Sequence, residues 1–195
     1  MFNENFVILG AIIAASGSIT YAIQTLQGKV KPNRVTFFLW SFAPLIAFVA
    51  QVQQGVGLVA LPTLMASILP LMIFLASFVN KSAYWKLTTF DIICGLLSIL
   101  GLILWYITKV GNVAILLGIL ADGLAGLPTV VKAYKHPQTE SSIGYFTTGV
   151  SAVITLTTIK EWDFAHVAFP IYLFFITFTI FALVHFKLGK IIARK

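Results

Sequence analysis

Long apolar runs, broken by short polar stretches, set the pattern of this chain. Cutting at the polar breaks leaves seven segments, at about residues 6–27, 35–53, 58–79, 88–108, 112–132, 143–159 and 164–186. Each is close to the roughly 20 residues that a helix needs to cross a bilayer. The sixth is short and the first is rich in small residues, so those two boundaries are the loosest. Ala14-Ala15-Ser16 resembles a signal-peptidase site. The residues before it carry Glu4 and no Lys or Arg, however, so the basic leader of a signal peptide is missing and the first segment is expected to stay as a helix.

Composition agrees with the pattern. Of 195 residues, 59% are hydrophobic and 10% charged, too few charges to cover a soluble domain. The net charge of +7 sits in short clusters between the apolar runs, with no basic face carrying stacking aromatics, so nucleic acid is not an expected partner. The clusters also sort by side. Loops 28–34, 80–87 and 133–142, with Lys132 at the adjoining helix end and the C-terminal tail, hold eleven of the thirteen Lys and Arg, and the other side holds only Lys109 and Lys160. That asymmetry predicts a cytoplasmic C-terminus, an N-terminus outside, and anionic-lipid contact at the basic face through residues such as Lys187, Lys190, Arg194 and Lys195. Trp85, Trp105 and Trp162 fall at span ends, where indoles settle. The expected location is the cell (inner) membrane. Cys94 lies in an apolar run and reads as a small core thiol, and the three histidines lack metal-ligand spacing.

The chain also echoes itself. With Pro32 set on Pro137, an offset of 105, each copy is an apolar helix, a short basic loop with one proline, and another helix. Trp40 then overlies Tyr145. The expected fold is an all-α integral membrane protein: seven transmembrane helices arranged as two parallel three-helix repeats joined by a linking helix. The expected units are 1–87, the linker 88–108, 109–186 and a basic tail 187–195. Two such copies in the same orientation place a site between them near the midplane.

This layout resembles the PQ-loop superfamily, which includes the SWEET sugar transporters, the half-size SemiSWEETs and lysosomal amino acid transporters. The family's Pro-Gln pair is shared between the copies here: Ile23-Gln24 keeps the glutamine and Pro128-Thr129 the proline. The run from Ala121-Asp122-Gly123 to Pro128-Thr129, continuing to His136-Pro137-Gln138, carries the closest local likeness. It implies a small-solute carrier, for sugars or another small polar solute, acting as a uniporter or a proton-coupled carrier without a cofactor. SWEETs resemble one another in an asparagine within the third helix of each repeat, and neither 58–79 nor 164–186 has an interior one.

Single residues sharpen the expectation. Asp122 lies about ten residues into its helix, near the midplane. A charge there costs roughly 2.5–3.5 kcal/mol on insertion scales, so it should face the bundle interior. It is expected to bind a proton or a cationic group of the substrate, the alternative being a structural carboxyl bonded to a neighbouring helix. Trp40 and Tyr145 form a candidate aromatic clamp, with Gln24 and Ser151 among the polar lining. Gly144, Thr148, Ser151, Thr155 and Thr158 share one helical face. Pro128, softened by Gly126, is a candidate hinge. Glu140 is a candidate gate residue, paired with Lys29, Lys31 or Arg34. Asp91 reads as a helix N-terminal charge or an ion-pair partner. No phosphate loop, nucleophile elbow or paired intramembrane carboxylate points to an enzyme. Two other readings stay open: a sorting receptor on the same fold, as in the KDEL receptor branch, and a vitamin-type facilitator. A homo-oligomer also stays open.

Overall fold

The computed structural model describes residues 2–108 and 111–192, without the side chains of Trp105, Thr108 and Ile192. The expected interfacial Trp105 and the charges of Lys109, Arg194 and Lys195 lie outside the described residues. Nine α-helices run through the described chain: α1 (Phe6–Leu26), α2 (Arg34–Trp40), α3 (Ala43–Gln53), α4 (Leu61–Ala76), α5 (Thr89–Thr108), α6 (Gly111–Lys135), α7 (Ser142–Thr158), α8 (Phe164–His185) and α9 (Leu188–Ile192). No strand forms among the described residues. Five stretches are long and apolar enough to cross a membrane: Phe6–Leu26, Arg34–Gln53, Gly57–Ala76, Gly111–Lys135 and Phe164–His185. A shorter apolar stretch lies at Thr89–Leu104, and α7 has 17 residues.

Local chemistry sets the helix ends. At the end of α1, Gly28 takes φ 70°. Its N–H donates to the Thr25 carbonyl and the Lys29 N–H to the Gln24 carbonyl, satisfying two of the helix's orphan acceptors. A side chain at Gly28 would also collide with Ser82 Oγ, 2.0 Å from where its Cβ would stand. Buried Asn33 caps α2, its Oδ1 accepting from the amides of Val35 and Thr36 at 3.1 and 3.3 Å. The segment expected as one helix over 35–53 is broken at Ser41 and Phe42. Pro44 explains the break, since it donates no N–H and its ring conflicts with the carbonyl four residues back, that of Trp40. The expected basic tail also contains α9, which packs against α6 and α8.

Helix α4 packs against α1 on one side and α2–α3 on the other, and α8 packs in the same way against α6 and α7. Between the two groups, α1 lies along α7 and α3 along α6, while α5 rests on α6 from outside. The α1–α7 contact is close because its residues are small. A Cβ on Gly10 would meet Ser151 Oγ at 3.1 Å, and one on Gly17 would meet Thr147 Oγ1 at 1.9 Å. Close small-residue approach is how helices associate where no water drives them together.

The surface is the reverse of a soluble protein's. Large apolar side chains such as Ile8, Ile12, Ile19, Leu96, Leu100 and Phe175 are exposed, whereas Asn33, Thr36, Gln51, Thr63 and Asp122 are buried. Such extended apolar cover suits lipid and not water. The loops gather at two ends, as the charge pattern predicted. At the basic end Lys31 N–H donates to Thr139 O, Asn80 Nδ2 to Leu26 O, and the Trp85 ring lies tilted against His136 with centroids 5.4 Å apart. At the other end Glu4 pairs with Lys160 at 2.7 Å and Gln51 Nε2 donates to Ala165 O at 2.9 Å.

Candidate functional site

A cavity of about 70 Å³ lies inside the bundle, between the two groups of helices. Ser18 and Tyr21 of α1, Phe37 and Trp40 of α2, and the Pro62–Ile73 face of α4 line it on one side. Asp122 of α6, Gly144, Tyr145, Thr148 and Ser151 of α7, and the Leu173–Ile180 face of α8 line it on the other. Of the residues expected to form a site, Asp122, Trp40, Tyr145 and Ser151 therefore meet around one space. Gln24 does not reach it; it is half-buried on the last turns of α1. From the expected polar face of α7, Gly144, Thr148 and Ser151 line the cavity. Thr155 and Thr158 instead return their hydroxyls to the Ser151 and Thr155 carbonyls.

Asp122 is 3% exposed. Its Oδ2 accepts from the Tyr172 hydroxyl at 2.5 Å. Its Oδ1 is buried and has no hydrogen-bond partner among the described residues, and the same holds for Ser151 Oγ. Tyr172 is the partner that sequence reasoning missed: a search for a second carboxylate or histidine overlooks a phenol fifty residues away on α8. The rest of α6 near Asp122 is clamped through its backbone. Trp40 Nε1 donates to the Asp122 carbonyl at 3.0 Å, Thr36 Oγ1 to Ala125 O at 2.7 Å, and Ser98 Oγ to Ala121 O at 2.6 Å. Gly126 is the seat of the Trp40 indole, which would lie 3.0 Å from a Cβ there. Helix α6 passes through Pro128 without interruption. Those three side-chain bonds hold the segment just before the proline, where the helix ladder is weakest.

Four aromatic rings close the cavity toward the basic end. Tyr21, Phe37, Trp40 and Tyr145 form a ring of edge-to-face neighbours: centroids lie 5.4 Å apart for Tyr21–Phe37 and Phe37–Trp40, 6.5 Å for Trp40–Tyr145 and 6.0 Å for Tyr21–Tyr145. Tilted pairs at these separations are the favourable arrangement for aromatic quadrupoles. Both tyrosine hydroxyls are bonded to one carboxylate. Glu140 Oε2 accepts from Tyr145 at 2.8 Å and from Tyr21, and Glu140 Oε1 pairs with Lys132 Nζ at 2.6 Å. The two charged side chains are 1% and 0% exposed. Lys132 also donates to the Lys31 carbonyl and sits 4.8 Å from the Trp85 ring. A buried charge is tolerated only when paired and hydrogen-bonded, and here every oxygen of Glu140 is engaged.

Two expectations are corrected by this network. The charged partner of Glu140 is Lys132, not Arg34, Lys29 or the Lys31 side chain as expected. Arg34 instead turns to the end of α4, where Nη2 and Nε donate to Ser77 O and Oγ at 2.5 and 3.0 Å and the guanidinium lies 4.1 Å from the Phe78 ring. The unpaired carbonyls and partial negative charge of a helix C-terminus attract such a cation. Lys132, counted in the sequence only as a charge on the basic side, points inward. Asp91 does sit in the first turn of α5, accepting from Thr88 N–H and Oγ1 and from Asn33 Nδ2 at 2.6 Å.

On the opposite end, donor atoms of Glu161, Asp163 and His166 lie within 4.8 Å of one another, and the His166 ring is already bonded to Asp163 at 2.6 Å. Glu161 and Asp163 are exposed just before α8, and His166 is half-buried in its first turn. Compared with protein-family models, with curated proteins and with solved structures, the chain matches none.

Proposed function

We propose that the chain is a multi-pass carrier for a small solute, working by alternating access around the cavity that holds Asp122. The observation that carries this reading is a space inside the bundle between two helix groups, with a buried acidic residue in its wall and a polar latch across one end. Helices α1, α2–α3 and α4 act as one three-helix unit, α6, α7 and α8 as the second, and α5 links them. In each unit the third helix packs against the other two, which is the order that a repeat requires. The offset of 105 adds support. It carries the pair Tyr21 and Tyr145, in ring contact at 6.0 Å, onto Gly126 and Trp40, which also touch. The resemblance to PQ-loop proteins rests on the same offset and on the divided Pro-Gln pair.

Eleven basic residues on one side make that end cytoplasmic. The latch of Lys132, Glu140, Tyr21 and Tyr145 is then a cytoplasmic gate, and its opening separates α1 from α7 at their basic ends. Pro128 frees the Leu124 carbonyl and provides the place where α6 bends in that step.

The test is flux. Purified protein in proteoliposomes is offered a mixture of small metabolites, and lumen contents are read by mass spectrometry against protein-free vesicles. Saturable entry of at least one compound, lost in Trp40→Ala, is expected. Equal contents in both vesicle types would overturn the carrier reading and leave a sorting receptor as the use of this fold.

A further inference from the structure

The walls of the cavity also select a charge. Among the described residues Asp122 is the only acid that lines the space, and no described Lys, Arg or His lines it. The Lys132 ammonium is bound to Glu140, which accepts from the hydroxyls of the floor residues Tyr21 and Tyr145. An anion or a zwitterion entering the cavity would find no cation for its carboxylate, and a buried unpaired charge is strongly disfavoured. Asp122 presents the opposite condition, a nine-tenths-buried carboxyl with Oδ1 lacking a donor while Tyr172 holds Oδ2. The floor beside it is made of the rings of Tyr21, Phe37, Trp40 and Tyr145, whose faces attract positive charge, Trp most strongly.

Size narrows the class further. A volume of about 70 Å³ corresponds to about five water positions at 10–15 Å³ each. That suits a compact solute of a handful of heavy atoms and is small for a ring sugar. The two helix groups are also unequal at this site: the offset of 105 places Gly17 opposite Asp122. The cavity therefore offers one acidic pole and not a symmetric pair.

We infer that the solute is a compact organic cation, an alkylammonium with at most a small hydroxylic tail, held between the Asp122 carboxyl and the aromatic floor. This rests on the carrier reading for its use but not for its binding. The test separates the two. Detergent-purified protein is titrated in a thermal-shift assay with methylammonium, tetramethylammonium and choline. It is also titrated with 3,3-dimethylbutan-1-ol, which has the shape of choline without the charge. A ligand that binds only the folded state raises its apparent stability. At least one cation is expected to stabilise the wild type saturably, with choline at least about tenfold more potent than its neutral isostere, as a desolvated cation–π contact requires. Asp122→Asn, checked as monodisperse, is expected to weaken cation binding at least about 30-fold, the loss typical of removing one partner of a buried charged pair. The discrimination between choline and its isostere uses only the wild type, so it stands even where the variant fails to fold. Equal potency of the two, or no stabilisation by any of the three cations, would overturn the inference. Labelled choline is then followed into proteoliposomes. Cation binding without flux keeps the site and removes the carrier. Flux of neutral solutes without cation binding keeps the carrier and removes this inference.

Discussion

Replacing Glu140 by Gln tests the latch directly, because the substitution keeps the shape and removes the charge. In the folded chain Lys132 would keep the Lys31 carbonyl, the Trp85 face and a neutral amide oxygen in place of the carboxylate, with no countercharge in contact. Removing one partner of a buried ion pair costs about 3–5 kcal/mol, since the surviving charge stays desolvated. Lys132→Met leaves Glu140 with two tyrosine hydroxyls, so its cost falls at the lower end of that range, about 3 kcal/mol. In the double variant both charges are gone, the Gln oxygen still accepts from a tyrosine, and the methionine fills the stem of the lysine. Such apolar or neutral replacements of a whole pair are often close to neutral. The double variant should therefore lose much less than the two singles together, with a coupling of at least about 2 kcal/mol. Equilibrium unfolding in mixed micelles containing increasing SDS, followed by tryptophan fluorescence, measures all four proteins of the cycle. Losses that add to within about 0.5 kcal/mol would mean that Lys132 and Glu140 do not act as a buried pair, and the gate would have no basis.

Other outcomes follow from single contacts. Gly17→Ala would set a Cβ 1.9 Å from Thr147 Oγ1 and 2.9 Å from the Ile143 carbonyl, so a loss of about 1–3 kcal/mol is expected from overpacking. Thr147→Ala should restore part of it, and full independence of the two in the same unfolding assay would refute the close α1–α7 contact. Asn33→Ala removes a helix cap and the donor to a buried carboxylate at once, for about 2–4 kcal/mol, whereas Asn33→Asp should keep the cap and still lose stability against Asp91. At the exposed end, the hydrogen bond from the His166 ring and then the His166 amide hold the Asp163 carboxyl below its ordinary range. A depressed carboxylate contributes stability above its unfolded pKa and loses it as pH falls through the folded value. Asp163→Ala should therefore lower stability at pH 7, and its difference from wild type should shrink in acid below about pH 4.

Much of the helical layout was legible, because apolar length is a property of local sequence and needs no knowledge of partners. Charge sorting also worked for the ends: loops 28–34, 80–87 and 133–142 do meet. The break at Ser41 and Phe42 was available from Pro44, whose missing N–H marks the place, although hydropathy alone reads through it. The site was only half legible. Asp122 stood out by the cost of its burial, and Trp40 and Tyr145 by falling on one another under the offset of 105. Lys132 did not, because counting charges assigns a residue to a side of the membrane but not to a direction around its helix. Turning it inward depends on Glu140, Tyr21 and Tyr145 arriving from three other elements. Arg34 looked like a partner for Glu140 by loop proximity, yet the end of α4 offers it unpaired carbonyl oxygen closer at hand.

Two-sided accessibility of the cavity tests alternating access most directly. Thr148 lines the space, and the single Cys94 can be replaced by Ala to give a silent background for Thr148→Cys. A membrane-impermeant thiol reagent is applied to sealed, oriented vesicles from each side in turn. With the latch intact, labelling from the basic side should be slow. Adding Glu140→Gln, which removes about 3 kcal/mol from the closed gate, should speed it up to about 100-fold and slow labelling from the opposite side. Rates that stay the same, or that rise together from both sides, would contradict a carrier gated by Lys132 and Glu140.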